Sequence, residues 1–139
     1  MAGSLNFQGP PGEFISNGSR ISLTAPGMMV SVIERDPQSL ELTFQGNDGW
    51  ELDLAAPDGK PLALGRYKGA QRYPFQEPRH PGLSLSGAGR ACNTISGEFT
   101  VTRLVRDERQ QIKEFTAEFA QRCGDNRQTL KGLVQIQGP

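Results

Sequence analysis

LSLSGAGRACNTISGEFTVTRLV, residues 83–105, is the stretch that decides the fold class. Leu83 and Leu85 alternate with Ser84 and Ser86 before a glycine-punctuated loop, and Phe99 and Val101 alternate with Glu98, Thr100 and Thr102 after it. A period of two belongs to a strand with one buried face, so two such runs joined by a loop predict antiparallel β structure. The loop itself gathers the least ordinary residues of the chain, Arg90, Cys92 and Asn93.

Working outward, the same alternation predicts strands at 13–16, 20–25, 28–34, 39–45, 49–55, 63–69, 83–86, 97–105, 112–123 and 129–137. Between them lie Gly9-Pro10-Pro11-Gly12, Pro26-Gly27, Asp36-Pro37, Asn47-Asp48-Gly49, Pro57-Asp58-Gly59 and Pro81-Gly82, residues that preset φ or tolerate positive φ in tight turns. The hairpin 39–55 is the clearest: Leu40, Leu42 and Phe44 face Trp50, Leu52 and Leu54 across Asn-Asp-Gly, a signal for a type I′ turn. Trp50, leading its strand, is expected in the core. Segment 112–123, IKEFTAEFAQRC, fits both a helical face and a strand face; its position between two alternating runs favours a strand within a three-stranded meander. Residues 70–82 lack a period and read as an extended loop or edge.

Density of turns and shortness of strands together predict one all-β domain over 1–139, an antiparallel sandwich or flattened barrel of about 8–10 strands. The length, 139 residues, suits one core that buries about two-thirds of the unfolded surface. A mean hydropathy of −0.50 is lean, but 17 Gly and 10 Pro supply turns rather than disorder, because alternation persists almost to the end.

Formal net charge is zero, which argues against nucleic acid as a partner. No apolar run approaches the roughly 18 residues of a membrane span, and MAGSLNFQGPPG lacks the basic start and apolar stretch of a secretory signal. Met1–Ser4 reads equally as a natural start or as a remnant, so localisation stays open, with export compatible if a disulfide forms. Charge is nonetheless uneven. Residues 1–58 carry eight acidic side chains against Arg20 and Arg35, whereas 59–90 carry Lys60, Arg66, Lys68, Arg72, Arg79 and Arg90 against Glu77 alone. Cross-strand pairing of the two segments is the expected neutralisation, and a functional basic face the alternative.

Chemistry-bearing residues are few. Two cysteines and one histidine, His80, fall short of a zinc set, and neither Asn47-Asp48 nor Asp125-Asn126 has the acidic ligands of a calcium loop, so no metal or cofactor is expected. A Cys92–His80 nucleophilic pair is a third-ranked reading, since His80 in RHPG suits a turn better; no serine sits in a G-x-S-x-G elbow, and Gly87-Ala88-Gly89 lacks the rest of a dinucleotide motif. Cys92 and Cys123 either bridge or are two small buried hydrophobes. Arg90 and Asn93 could grip a carboxylate or sugar hydroxyl, or simply satisfy loop carbonyls. Tyr67, Tyr73 and Phe75 interleave with Arg66, Lys68, Arg72 and Arg79 as in an aromatic-cationic platform, although the same residues are ordinary on edge strands.

The segments SGAGRACNTISGEFTV, EFTAEFAQRC and LKGLVQIQ, together with SLNFQGPPGEFISNG and GRYKGAQRYPFQEPRHPGLSLSG, resemble a group of short, largely uncharacterised bacterial proteins and modules. Their pattern is G-R-x-C-N…G-x-F-x-V followed by F-x-A-x-F-x-Q-x-C. The resemblance covers most of the chain and implies a β-sandwich with Cys92 paired to Cys123; Ala91 stands where the group favours Gly. The expectation is therefore a non-enzymatic binding or interaction module for a protein or glycan partner, with a carbohydrate-binding or carbohydrate-processing domain as the alternative.

Overall fold

Residues 2–24, 29–124 and 127–138 are described by the computed structural model. In chain order the strands are β1 (Ala2–Gln8), β2 (Arg20–Thr24), β3 (Met29–Asp36), β4 (Ser39–Gln45), β5 (Gly49–Ala55), β6 (Gly65–Arg72), β7 (Gly82–Gly87), β8 (Ile95–Arg106), β9 (Ile112–Cys123) and β10 (Leu130–Gln137). Among the described residues there is no helix, and hence none long and apolar enough to cross a membrane. All ten strands join one sheet, in the order β2-β1-β10-β9-β8-β6-β7-β5-β4-β3, which curls into a half-barrel.

The sheet is mixed rather than purely antiparallel. The 73–81 connection returns just far enough to lay the start of β7 beside the end of β6, so the two run parallel and part after Gln71↔Gly82 and Arg72↔Leu83. This short junction divides a wide half (β2, β1, β10, β9, β8, β6) from a narrow half (β7, β5, β4, β3).

Side chains hold the halves together where backbone pairing is sparse. In the wide half Phe7, Gly132, Phe119, Phe99 and Tyr67 stand opposite one another across five strands. A Cβ on Gly132 would lie 2.3 Å from Phe119 Cζ, so the absent side chain is what lets the ring lie flat on β10. The narrow half repeats the device: Trp50, 3% exposed as expected, covers Gly87, whose Cβ would lie 2.4 Å from the indole. Phe7 meets Trp50 edge to face at 4.8 Å, which joins the two aromatic sets into one core.

Gln121 bridges the halves in a different way. It is 1% exposed on the inward row of β9, and its amide accepts from Leu85 N (2.8 Å) and donates to Leu85 O (3.1 Å). Because β6 leaves β7 after Leu83, the peptide groups of Leu85 on that side have no strand beside them; the amide replaces one.

Four expectations are corrected. Residues 13–16 are not a strand: the buried Glu13 carboxylate accepts from Ile15 N (2.9 Å) and Ser16 N (2.7 Å), tying the segment into turns, with Asn17 at φ 54°. Conversely β1 was missing from the alternation. The Asn-Asp-Gly hairpin forms with the expected strands, but neither Asn47 nor Asp48 has positive φ, and the loop is the three residues Gly46–Asp48. The type I′ signature falls at Gly87–Arg90, where Ala88 (φ 51°) and Gly89 (φ 77°) are both left-handed and Gly87 and Arg90 exchange both backbone bonds. Finally, the acidic and basic segments do not neutralise each other across strands, because β4 pairs with β3 and β5 while β6 pairs mainly with β8. Residues 112–123 form the expected strand; the Pro26-Gly27 turn and Asp125-Asn126 lie outside the described residues.

Candidate functional site

On the wide half, every second side chain of β1, β10, β9, β8 and β6 points outward, because the intervening ones fill the core. Register therefore sets outward residues in rows. One runs Ser22–Asn6–Leu133–Glu118–Thr100–Arg66, and the next Arg20–Gln8–Lys131–Ala120–Glu98–Lys68. The face they form is depressed. A trough of about 640 Å³ spans β2 to β6 between Arg20 and Arg66, and a second of about 530 Å³ continues from Arg66 and Glu98 toward Lys68, His80 and Arg122. A third, of about 370 Å³, lies farther along the same face around Gln135 and Thr116.

The polar inventory of this face is mixed in sign. Arg66 places Nε and a terminal nitrogen on one Glu98 oxygen, at 2.8 and 2.7 Å, and Arg103 does the same to Glu114 at 3.1 and 2.7 Å. Among the described residues Arg20, Lys68 and Lys131 make no ion pair. His80 is held at the rim, its Nδ1 2.8 Å from Gly69 O and its Nε2 3.6 Å from Glu77.

The residues singled out in the sequence separate into three places. Arg72 gathers one group: its guanidinium lies 5.0 Å from the Phe75 ring and donates to Asn93 O at 3.0 Å, beside the half-buried Tyr73. Phe75 is 72% exposed, so this corner presents an aromatic ring to solvent. Tyr67 stands apart, stacked on Phe99 at 4.8 Å with its hydroxyl on Ala63. Arg90 points elsewhere again, donating from Nε to Ile15 O at 3.0 Å; it fastens the 10–19 loop to the type I′ turn. Cys92 and Cys123 form a disulfide, with Cα atoms 5.2 Å apart and Gln121 Nε2 3.6 Å from Cys92 Sγ. A bonded Cys92 offers no thiolate, which removes the Cys92–His80 nucleophile.

On the narrow half, Glu41, Glu51 and Asp53 bring carboxylate oxygens within 4.8 Å of one another, but Glu41 and Asp53 already have interactions of their own. No protein-family model, curated protein or solved structure matches the chain.

The bridging role of Gln121 and the trough were not anticipated from the sequence, although Gln121 was read on the strand face of 112–123. Gln121 carried a usable signal, a polar residue continuing the inward series Phe115, Ala117 and Phe119. The trough carried none in any single segment, since its rows draw on residues from 6 to 133 that only the register brings together.

Proposed function

We propose that the chain is a binding module without catalytic chemistry, and that the trough on the wide half is its recognition surface. The observation carrying this reading is the outward face itself: charged, amide and hydroxyl side chains from six strands line two adjoining depressions, and they stand on a sheet rather than on loops. The backbone beneath such a surface loses little entropy on binding, because the sheet has already ordered it. A disulfide suits an exported protein of bacterial type.

A second reading has its own observation. At the corner, Phe75 offers an exposed ring backed by Arg72 and flanked by Asn93, the composition of a sugar-stacking site. A glycan array probed with wild type, Thr100→Trp and Phe75→Ala separates the two. The trough reading expects binding to survive Phe75→Ala and to fall sharply in Thr100→Trp, whose indole obstructs the middle of the depression, with far-UV circular dichroism unchanged. Binding lost only in Phe75→Ala moves the site to the corner. Intrinsic fluorescence serves as a further fold control for Phe75→Ala, in which the buried Trp50 remains the sole tryptophan.

A further inference from the structure

Resting on the trough as the recognition surface, we infer that its ligand is an acidic polysaccharide in which carboxylate-bearing sugars alternate with neutral ones. Charge comes first. Arg20, Lys68, Lys131 and Arg122 face outward along the two adjoining depressions, and none is committed to an ion pair among the described residues; Arg122 spends one nitrogen on Thr129 Oγ1 at 3.3 Å. Opposing them are Glu98, already paired with Arg66, and Glu118. The surface is therefore positive in excess although the chain as a whole is neutral.

Spacing selects among polyanions. Neighbouring strands lie about 4.8 Å apart, so Arg20 and Lys131, two strands apart in one row, are about 10 Å from each other, and Lys131 and Lys68 about 14 Å. Duplex DNA, by contrast, presents a charge about every 1.7 Å of its axis. A phosphate chain in this trough would meet Glu98 and Glu118 as well as the cations, with unfavourable like-charge contacts. The aromatic rings nearest the trough, Phe7, Phe99 and Phe119, are turned into the core, so no ring is offered to bases. What fills the gaps between cations is instead Asn6, Gln8 and Thr100, donors and acceptors that suit sugar hydroxyls, and the two glutamates accept from hydroxyls equally well. Sparse negative charge separated by neutral rings is the ligand that matches both features.

Affinity electrophoresis in gels containing hyaluronan, carboxyl-reduced hyaluronan or single-stranded DNA tests this. Hyaluronan is expected to retard the wild type, less so at higher salt, and the triple variant Lys68→Glu/Arg122→Glu/Lys131→Glu to lose roughly tenfold or more in affinity. Lys60→Glu/Arg79→Glu/Arg109→Glu, three exposed cations outside the trough, should leave retardation unchanged. Both triple variants alter exposed side chains only, and circular dichroism checks that each folds. Equal retardation by the carboxyl-reduced polymer, stronger retardation by DNA, or none by any polymer overturns the acidic ligand. If the first triple variant is retarded like wild type, or the second loses as much as the first, the trough itself is wrong.

Discussion

The two halves of the sheet solve one packing problem alike and treat charge in opposite ways. Each lays an aromatic ring over a strand glycine, Phe119 on Gly132 in the wide half and Trp50 on Gly87 in the narrow one. On the face turned away from the core, the narrow half sets Glu41 opposite the buried Asp53 and beside Glu51, whereas the wide half mixes both signs along its rows with cations in excess and leaves several of them out of ion pairs. The pattern teaches that the core fixes which residues face outward, while strand order fixes what charge that face carries. Acidic β4 and β5 pair with each other, and basic β6 was delivered to β8, so the imbalance visible along the chain survives as two differently charged faces.

If the halves form one cooperative unit, the largest effect should follow from cutting the contact that joins their aromatic sets. Phe7→Ala is expected to cost about 3–5 kcal/mol, the usual range for removing a buried ring. Denaturant titration followed by far-UV circular dichroism and by Trp50 emission should give coincident transitions at a lower midpoint. A narrow-half signal from Trp50 that moves separately would show that the halves unfold independently.

Next in size is the disulfide, which anchors the loop leaving β7 to the end of β9 across a separation of 31 residues. Chain-entropy arguments assign such a closure about 4 kcal/mol. Reduction, or Cys92→Ser/Cys123→Ser, should lower Tm by several degrees or more in a protein of this length. An unchanged Tm after reduction, verified by thiol titration, would mean that Gln121 and the aromatic contact suffice alone.

Gln121→Leu sharpens the same question at a single amide. The substitution keeps volume but strands Leu85 N–H and C=O in a buried site, for an expected loss of about 2–4 kcal/mol. Hydrogen exchange gives the specific readout: the Leu85 amide should lose protection while those of β4, paired on both sides, keep theirs. Equal protection in the variant would show that another group or water satisfies Leu85.

Strand character was legible wherever apolar and polar residues alternate over a long run, as in β4, β5 and β9, whose bounds the sequence reading met at 39–45, 49–55 and 112–123. It failed where a local side-chain bond competes with the sheet. Glu13 captures the amides of Ile15 and Ser16, so EFIS, which alternates like a strand, turns instead. β1 failed for the opposite reason, with only Leu5 and Phe7 to mark an inward row. Among the candidate residues, Asn93 and Phe75 meet through Arg72, next to Tyr73 in the chain, but Tyr67 serves the core and Arg90 a loop carbonyl. Guanidinium and phenol groups bond carbonyls as readily as ligands, and composition alone does not separate the two uses.

The smallest expected effect separates ion pairs by where they sit. Arg106 on β8 reaches Glu34 on β3 at 2.9 Å, with side chains 23% and 26% exposed, so it links the outer strand of the narrow half to the wide half. The same guanidinium nitrogen also donates to Gln110 O at 2.8 Å, a second bond that helps fix its position. Arg66–Glu98 lies within the wide half on the more open floor of the trough, with exposures of 57% and 38%. Exposed pairs gain little, since water competes and two long side chains must be ordered. Double-mutant cycles with alanine should therefore give a coupling of about 1 kcal/mol for Arg106–Glu34 and about 0.2–0.5 kcal/mol for Arg66–Glu98. In about 1 M salt, where the screening length falls to about 3 Å, the second should disappear and the first persist in part. Equal couplings, screened alike, would mean that Arg106–Glu34 is an ordinary surface pair, leaving the β6–β7 pairing, Arg90, Gln121, the disulfide and apolar contacts to join the halves.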